Sequence, residues 1–423
     1  MQKLKNPLAI VFCIILIDVL GVGILIPVIP LLLTDPAYPY HLSGITIAQG
    51  YVLLGFLTAI FPLMQFLATP ILGQLSDHVG RRPVLAFSLL GTSLSYVVFA
   101  IGIMTKNIPL LFISRAVDGI TGGNISVAQA AIADITAPEK RARSFGIIGA
   151  AFGIGFVIGP FLGGKLSDPS ILSWFNATTP FWFAAILSFV NALAVFFLFN
   201  ETLKEKSKEA FHYAQSVINI WKAFTTPKLQ KLFSVSFLFH SGFTFFTTFF
   251  GAYMIYKFSF TQGQIGDFFA LVGICIALTQ VFVTGWAAKR WSPYGIISFG
   301  LLGVSITVLS YALVPTAALL YLIVAPQAIC MGLIMANLTG LISRSGDPRE
   351  QGQVLGINAS VQALGQSIPP VVAGYLAAAL APSAPIIAGS AFVFLAFLVF
   401  VFFLRDTSHG ITGHGAEPQP QTH

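Results

Sequence analysis

Long apolar runs, repeated along the whole chain and broken by Gly and Pro, constrain this sequence more than any other feature. A helix needs about 20 apolar residues to cross the hydrocarbon core of a bilayer. Runs of that size are read at roughly 8–33, 47–72, 84–104, 109–133, 144–166 and 179–199. Six more follow at roughly 229–257, 265–287, 295–313, 316–340, 352–379 and 384–404. The expected fold is an all-α membrane protein of twelve transmembrane helices in two sets of six. A membrane barrel would show ten-residue alternating segments instead. Charged residues make up only 9% of the 423, whereas a soluble chain carries about 25% to cover its core. A soluble enzyme, a disordered scaffold and a nucleic-acid binder are excluded on that ground. Cys13, Cys275 and Cys330 lie far apart inside apolar runs, so neither a disulfide framework nor a metal site is expected. No cleavable signal peptide is read.

An even number of spans puts both termini on one side, and Lys and Arg gather in cytoplasmic loops. With both termini in the cytoplasm, nearly all 22 Lys and Arg fall on that side. Only Lys106, Lys165 and Lys257 fall outside, and Arg115 lies within a span. The expected organisation is an N-terminal six-helix lobe (1–199), a cytoplasmic linker (200–228), a C-terminal six-helix lobe (229–405) and a disordered cytoplasmic tail (406–423). The linker reads as an amphipathic surface helix with Ile218, Trp221 and Phe224 on one side.

The halves repeat. Pro138–Gly146 resembles Pro348–Gly356, and at the same offset Gly155 meets Gly365, Pro160 meets Pro370 and Gly164 meets Gly374. Six-span repeats in one orientation are the plan of a two-lobed secondary transporter that binds its cargo between the lobes and rocks around it.

Between spans two and three stands Gly73-Gln-Leu75-Ser-Asp77-His-Val-Gly80-Arg81-Arg82. A tight turn with one acid and two bases makes ionic contacts to neighbouring helix ends and serves as a conformational latch. Span five carries Gly146, Gly155, Gly159-Pro160 and Gly163-Gly164. Glycines let helices approach closely, and Gly-Pro bends a helix. Span one reads Asp18-Val-Leu20-Gly21 through Pro27 to Pro30, and span four reads Arg115-Ala-Val-Asp118-Gly119. Ala133-Asp134-Ile135 and Glu139-Lys140-Arg141 follow span four.

These motifs resemble those of the major facilitator superfamily. The first turn fits its G-x-L-x-D-x-x-G-R-R loop motif, and span five fits the antiporter motif of its drug-exporting branches. Spans one and four resemble the twelve-span drug/proton antiporters, including tetracycline-efflux proteins. Asp118 departs from the pattern, standing where a glutamine or small residue is usual. The second-half turn, Gly285 to Lys289-Arg290, lacks the acid, so a symmetric second latch is not expected. The resemblance implies proton-coupled export of amphipathic organic compounds, drug-like or tetracycline-like, by a bacterial inner-membrane protein. A transporter of an endogenous metabolite, siderophore or lipid, working even as an importer, is the alternative. No Walker loop or nucleophile elbow is present, so an ATP-driven pump and an enzyme are not expected. No cofactor is implied beyond the proton gradient. The expected partners are a small organic substrate, protons and the lipid bilayer, with the protein a monomer.

Ionisable side chains within a span are costly and are functional candidates by default. Asp18, Arg115 and Asp118 are the clearest. Arg115 and Asp118, three apart, share a helix face and can pair. Asp18 is expected to be the main proton site, tuned by Arg115, although a structural role in capping or packing is an alternative. Asp267 is expected to cap the start of span eight or to be solvated near the outer surface. His240 stands in a span dense in Phe, including Phe243 and Phe246; a packing role and a proton relay are both open. Rings facing a cavity would suit an apolar or cationic aromatic substrate. Gln65, Asn124, Gln129, Gln280, Gln327, Asn337, Asn358 and Gln362 are the uncharged polar groups within spans. Each either orients substrate or bonds a neighbouring helix.

Overall fold

In a computed structural model the chain is described over residues 7–42, 44–136, 141–207, 211–227, 229–345 and 351–404. The tail expected at 406–423, with its histidines, and the loop residues Glu139, Lys140 and Pro348 lie outside the described residues. Helices α1 (Pro7–Thr34), α2 (Ile47–Val79), α3 (Arg81–Met104), α4 (Ile108–Thr121), α5 (Ile125–Ile135), α6 (Arg141–Leu166) and α7 (Thr179–Leu198) form the first half. A linker helix, α8 (Gln215–Thr225), leads to α9 (Gln230–Phe258), α10 (Gln262–Leu278), α11 (Thr284–Ala288), α12 (Pro293–Leu313), α13 (Ala317–Ser345), α14 (Gln351–Ala379) and α15 (Ala384–Leu404).

Nine helical stretches among the described residues are each long and apolar enough to cross a membrane. One joins α10 to α11 through a π-helical turn at Thr279–Val283. The remaining three spans are α6, α14 and the rod of α4 and α5, which a short 3-10 turn at Gly122–Asn124 interrupts. The α2 helix runs seven residues past the expected end of its span, because Gln74, Asp77 and His78 continue it into the polar zone. Local chemistry sets the starts. Thr46 and Gln49 form a capping box at α2, and Thr261 and Gln264 form another at α10, each satisfying helix N–H groups that have no partner within the helix. The cap of α10 is therefore Thr261, and Asp267 is free for another contact.

Buried side chains gather in three large clusters. One belongs to the first half, around Val11, Leu85, Leu89 and Ile132. A second belongs almost wholly to the second half, around Phe233, Phe250, Phe268 and Val304. The third joins the halves, packing Ile24, Leu33, Tyr51 and Leu54 against Phe245, Phe249, Ala373 and Ala377. These joining residues lie at the ends of α1, α2, α9 and α14 remote from the linker. The two halves thus touch on the side away from the linker.

Candidate functional site

The contact between the halves is made by main chain pressed on main chain. A Cβ on Gly164 would lie 2.5 Å from the carbonyl oxygen of Gln262, and one on Gly266 would lie 2.6 Å from that of Pro160. These contacts join α6 to α10. The second contact is its counterpart: Gly55 meets the carbonyl of Pro370 at 2.3 Å, and Gly374 meets that of Tyr51 at 2.8 Å, joining α14 to α2. The repeated pairs Pro160/Pro370 and Gly164/Gly374 are thus the two halves of one seal. Lys165 Nζ and Asp267 Oδ2 pair across it at 2.8 Å. At the linker end, Gly153, Gly285, Gly340 and Gly356 have no atom within 4 Å of an added Cβ.

The antiporter motif divides its work. Gly155, Gly159 and Gly163 face α1, where a Cβ on Gly159 or Gly163 would meet the carbonyl oxygens of Leu20 and Ile24 at 2.7 and 2.4 Å. Gly164 and the carbonyl of Pro160 face the other half, in the seal, while the Pro160 ring lies against Gly23 of α1. Gly146 is on the same helix, among residues 141–149 whose surroundings lie outside the described residues.

The intramembrane charges lie inside the first half. Asp18 of α1 and Arg115 and Asp118 of α4 are buried, at 8%, 3% and 2% exposure. Glycines bring their helices together: Gly21 receives the Tyr96 hydroxyl, and Gly119 and Gly123 press α4 and the 3-10 turn onto the backbone of α2. Arg115 and Asp118 form an ion pair, and the Arg115 guanidinium stacks over Phe61, 4.9 Å from the ring centre. Asp118 also faces the hydroxyls of Ser95 and Thr92. Arg115 thus binds Asp118 through Nη2, while its buried Nη1 makes no hydrogen bond. Neither oxygen of Asp18 makes a hydrogen bond, and the groups acting on it are the Asn124 amide and the Asp118 carboxyl. Asn124 is fully buried, and both its amide atoms are also without a partner. The 3-10 turn, formed where Gly122-Gly123 interrupts the rod, carries Asn124 to this place.

The latch turn is held within the first half and by the linker. Arg81 binds Asp77 at 2.5 Å and Asp134 at 3.1 Å, and Arg82 bonds the carbonyl of Phe196. Gly80 has a φ of +119°, a conformation that strains residues with a side chain. Glu201, next to it, accepts hydrogen bonds from the backbone N–H groups of Arg81, Arg82, Thr202 and Leu203. Partial burial works against the charged carboxyl of Glu201, but these donors together hold its pKa below the usual carboxylate value. Gln74 exchanges two hydrogen bonds with the backbone of His212 in the linker. Gly73 meets only Ser126. Asn219 of α8 reaches Ser360 of α14 at 3.2 Å, so the linker touches both halves.

The remaining polar residues part company. Gln65 donates to the carbonyl of Gly122, Asn358 accepts from Ser236, and His240 bonds the carbonyl of Ser236 through Nδ1. These are helix-to-helix or within-helix bonds. Gln362 is half-buried and is not joined to the acidic cluster. Phe243 and Phe246 do line a pocket. Glu201 and the Lys165–Asp267 pair were not foreseen, since nothing local to either sequence points to the partner.

A two-lobed helical bundle, joined tightly at one end and carrying buried charges within a lobe, is the architecture of a secondary transporter. The sequence profile of the Major Facilitator Superfamily matches residues 11–256 and 232–422, and the chain belongs to that family, a family of transporters rather than enzymes. It is 34% identical over 387 residues to the class C tetracycline resistance protein of Escherichia coli, covering 90% of this chain and 92% of that one. It is 30% identical over 378 residues to the class H protein of Pasteurella multocida, covering 88% and 89%. Among solved structures, the human organic anion transporter MFSD10 (TETRAN) superposes with a TM-score of 0.70 at 24% identity, covering 93% and 98%. The fold expected from the sequence, twelve spans of the major facilitator type, stands.

Proposed function

We propose that this multi-pass membrane protein exports amphipathic, tetracycline-like organic molecules in exchange for protons, by alternating access. It works as a monomer in a bacterial inner membrane, with both termini and the linker in the cytoplasm, and takes no cofactor beyond the proton gradient. The observation that carries this reading is Asp18: a buried carboxyl without a hydrogen bond, beside an ion pair in which Arg115 binds Asp118. A structural carboxylate would be paired or hydrogen-bonded, because an isolated buried charge is costly. A carboxyl left alone is suited to gain and lose a proton as the lobes rock and water reaches it from alternate sides. Asp118 holds Arg115 in place, and the neutral Asn124 amide is placed to orient the Asp18 carboxyl. Likeness to tetracycline resistance proteins over nine-tenths of the chain supports the substrate class and the direction.

The test is proton movement in inside-out vesicles energised to a proton gradient, with a panel of drugs added to wild type and Asp18→Asn. Collapse of the gradient by a drug in wild type alone is the expected result. No drug response in wild type overturns the exporter reading. Equal responses overturn the assignment of Asp18 and move the proton site to Asp118 or His240.

A further inference from the structure

At the end remote from the linker, a crevice of about 290 Å³ lies on the seal between the halves. Thr34 of α1 and Tyr51 of α2 line it from the first half. Tyr256 of α9, with Ala377, Ala378 and Pro382 at and just beyond the end of α14, line it from the second. Tyr51 serves both features: its carbonyl meets Gly374 in the seal, and its side chain lines the crevice. Thr34 follows Asp18 on α1 at a distance of roughly 24 Å, at 1.5 Å of rise per residue. The crevice is therefore separate from the acidic cluster. No charged side chain lines it among the described residues.

Its polar groups are mostly acceptors. The last turn of a helix leaves carbonyls without partners. The carbonyl of Ala378 would take the N–H four residues on, but that residue is Pro382, which has none. No backbone N–H among the described residues donates to the carbonyl of Ala377 or of Ala378. The Thr34 hydroxyl spends its proton on the carbonyl of Pro30 at 2.8 Å and keeps a free lone pair. The C-terminal ends of α1 and α14 both carry partial negative charge, and Asp35 follows directly on Thr34. Lys257, next to Tyr256, is engaged by the Tyr253 hydroxyl at 3.0 Å and by the carbonyl of Ala312. Tyr51 is only 7% exposed and its ring is held against Phe249 at 6.2 Å. Its hydroxyl has no hydrogen-bond partner among the described residues. A buried phenol left unpaired is costly until something entering the crevice satisfies it.

We propose that this crevice is a binding site for a small organic cation, a primary ammonium carried on a single aromatic ring. The ammonium donates to the Tyr51 hydroxyl oxygen and to the carbonyl of Ala378. Its charge lies against the faces of Tyr51 and Tyr256 and against two negative helix ends. An anion meets carbonyls and ring faces of the wrong sign. An uncharged alcohol makes the hydrogen bond but gains little from the rings or the helix ends. The volume falls at the lower end of small-ligand sites, about 300–1,000 Å³, so it fits one ring and is too small for a multi-ring cargo. Both lobes supply the walls, and the site is whole only while they are joined here. The proposal goes beyond the transport reading and stands whichever molecule is exported.

Three probes of similar shape test it at neutral pH: phenethylamine as the cation, 2-phenylethanol as the neutral form and phenylacetate as the anion. Binding to the purified full-length protein in micelles is measured by calorimetry, with protein-free micelles subtracted. Wild type is expected to bind the cation about tenfold more tightly than the alcohol, the combined size of a charge-assisted hydrogen bond and a cation–ring contact, and to bind the anion most weakly. Tyr51→Phe keeps the ring and removes the hydroxyl, and is expected to cut the preference about threefold. Pro382→Ala gives the Ala378 carbonyl its missing N–H and is expected to do the same. Ala48→Trp, at an exposed position that lines the crevice, is expected to fill it and abolish binding of all three. Should Pro382→Ala not fold, Tyr51→Phe and Ala48→Trp carry the test. Equal binding of cation and alcohol by wild type, binding of none, binding that survives Ala48→Trp, or a preference that a folded Tyr51→Phe or Pro382→Ala leaves intact overturns the proposal. Loss of cation binding in Asp18→Asn would place the cation at the acidic cluster and overturns it too. Absence of drug-driven proton movement in vesicles removes the export and leaves this site standing.

Discussion

Lys165 and Asp267 face each other at 2.8 Å across the seam between the two lobes, at the end where the lobes touch. Both side chains are about one-third to one-half exposed, so the pair contributes only about 0.2–1 kcal/mol. That is enough to shift the ratio of two conformations by up to about fivefold. Lys165→Gln is expected to enlarge the outward-open population. Spin labels on the exposed Ile171 and Tyr256 report this as a loss of the short distance, and the charge-swapped Lys165→Asp with Asp267→Lys restores it. An unchanged distance distribution in both variants would show that the pair has no part in the seal.

Arg115 and Asp118 make up a buried ion pair, and such pairs are far more costly to break than to replace. Arg115→Leu leaves the Asp118 charge alone and is expected to destabilise the fold by about 3–5 kcal/mol. The double variant Arg115→Leu with Asp118→Leu should recover most of that loss. Thermal unfolding in micelles decides it: a double variant as unstable as the single one would mean that the pair is not the main interaction of either residue.

Close approach of α6 to α1 separates two glycines ten residues apart. Gly163→Ala places a methyl group 2.4 Å from the carbonyl of Ile24, whereas Gly153→Ala meets open space. The first is expected to cost about 1–3 kcal/mol through overpacking and to reduce transport, and the second to change neither. Transport rate and unfolding temperature for the two variants give the comparison directly.

Glu201 ties the latch turn through four backbone donors, which hold its carboxyl pKa below the ordinary value of about 4.3. A carboxyl depressed by folding stabilises fully above its unfolded pKa, and the contribution is lost as pH falls through the lower folded value. Because the group is partly exposed, Glu201→Gln should cost only about 1 kcal/mol between pH 5 and 8. The gap between variant and wild-type unfolding temperatures is expected to be flat over that range and to close toward pH 3. A gap that widens on acidification would contradict the assignment.

Much of this molecule was legible from run length and spacing. Twelve spans, the repeat, the latch turn and the glycine motif follow from which residues stand where. Asp18 was found because a carboxyl in an apolar span is conspicuous. What stayed hidden was orientation and distant pairing. Polar and apolar residues are spread around the whole circumference of α9, so no stripe told Phe243 from the rings that face lipid. Gln65 and Asn358 looked the same as Gln327 in sequence, and all three bond neighbouring elements, yet of the three only Gln327 also lines a pocket. Glu201 and Arg81 meet only because α7 returns beside the start of α3.

The joint remote from the linker is closed by bare backbone: glycine and proline segments of α6 and α14 lie flush against α10 and α2. A plug of that kind has few rotatable groups to swing aside, and where main chain meets main chain it leaves no gap for a file of water. A membrane punctured by a wet pore loses its voltage within moments. Such a joint acts as electrical insulation, letting the cell keep its potential while the protein rests.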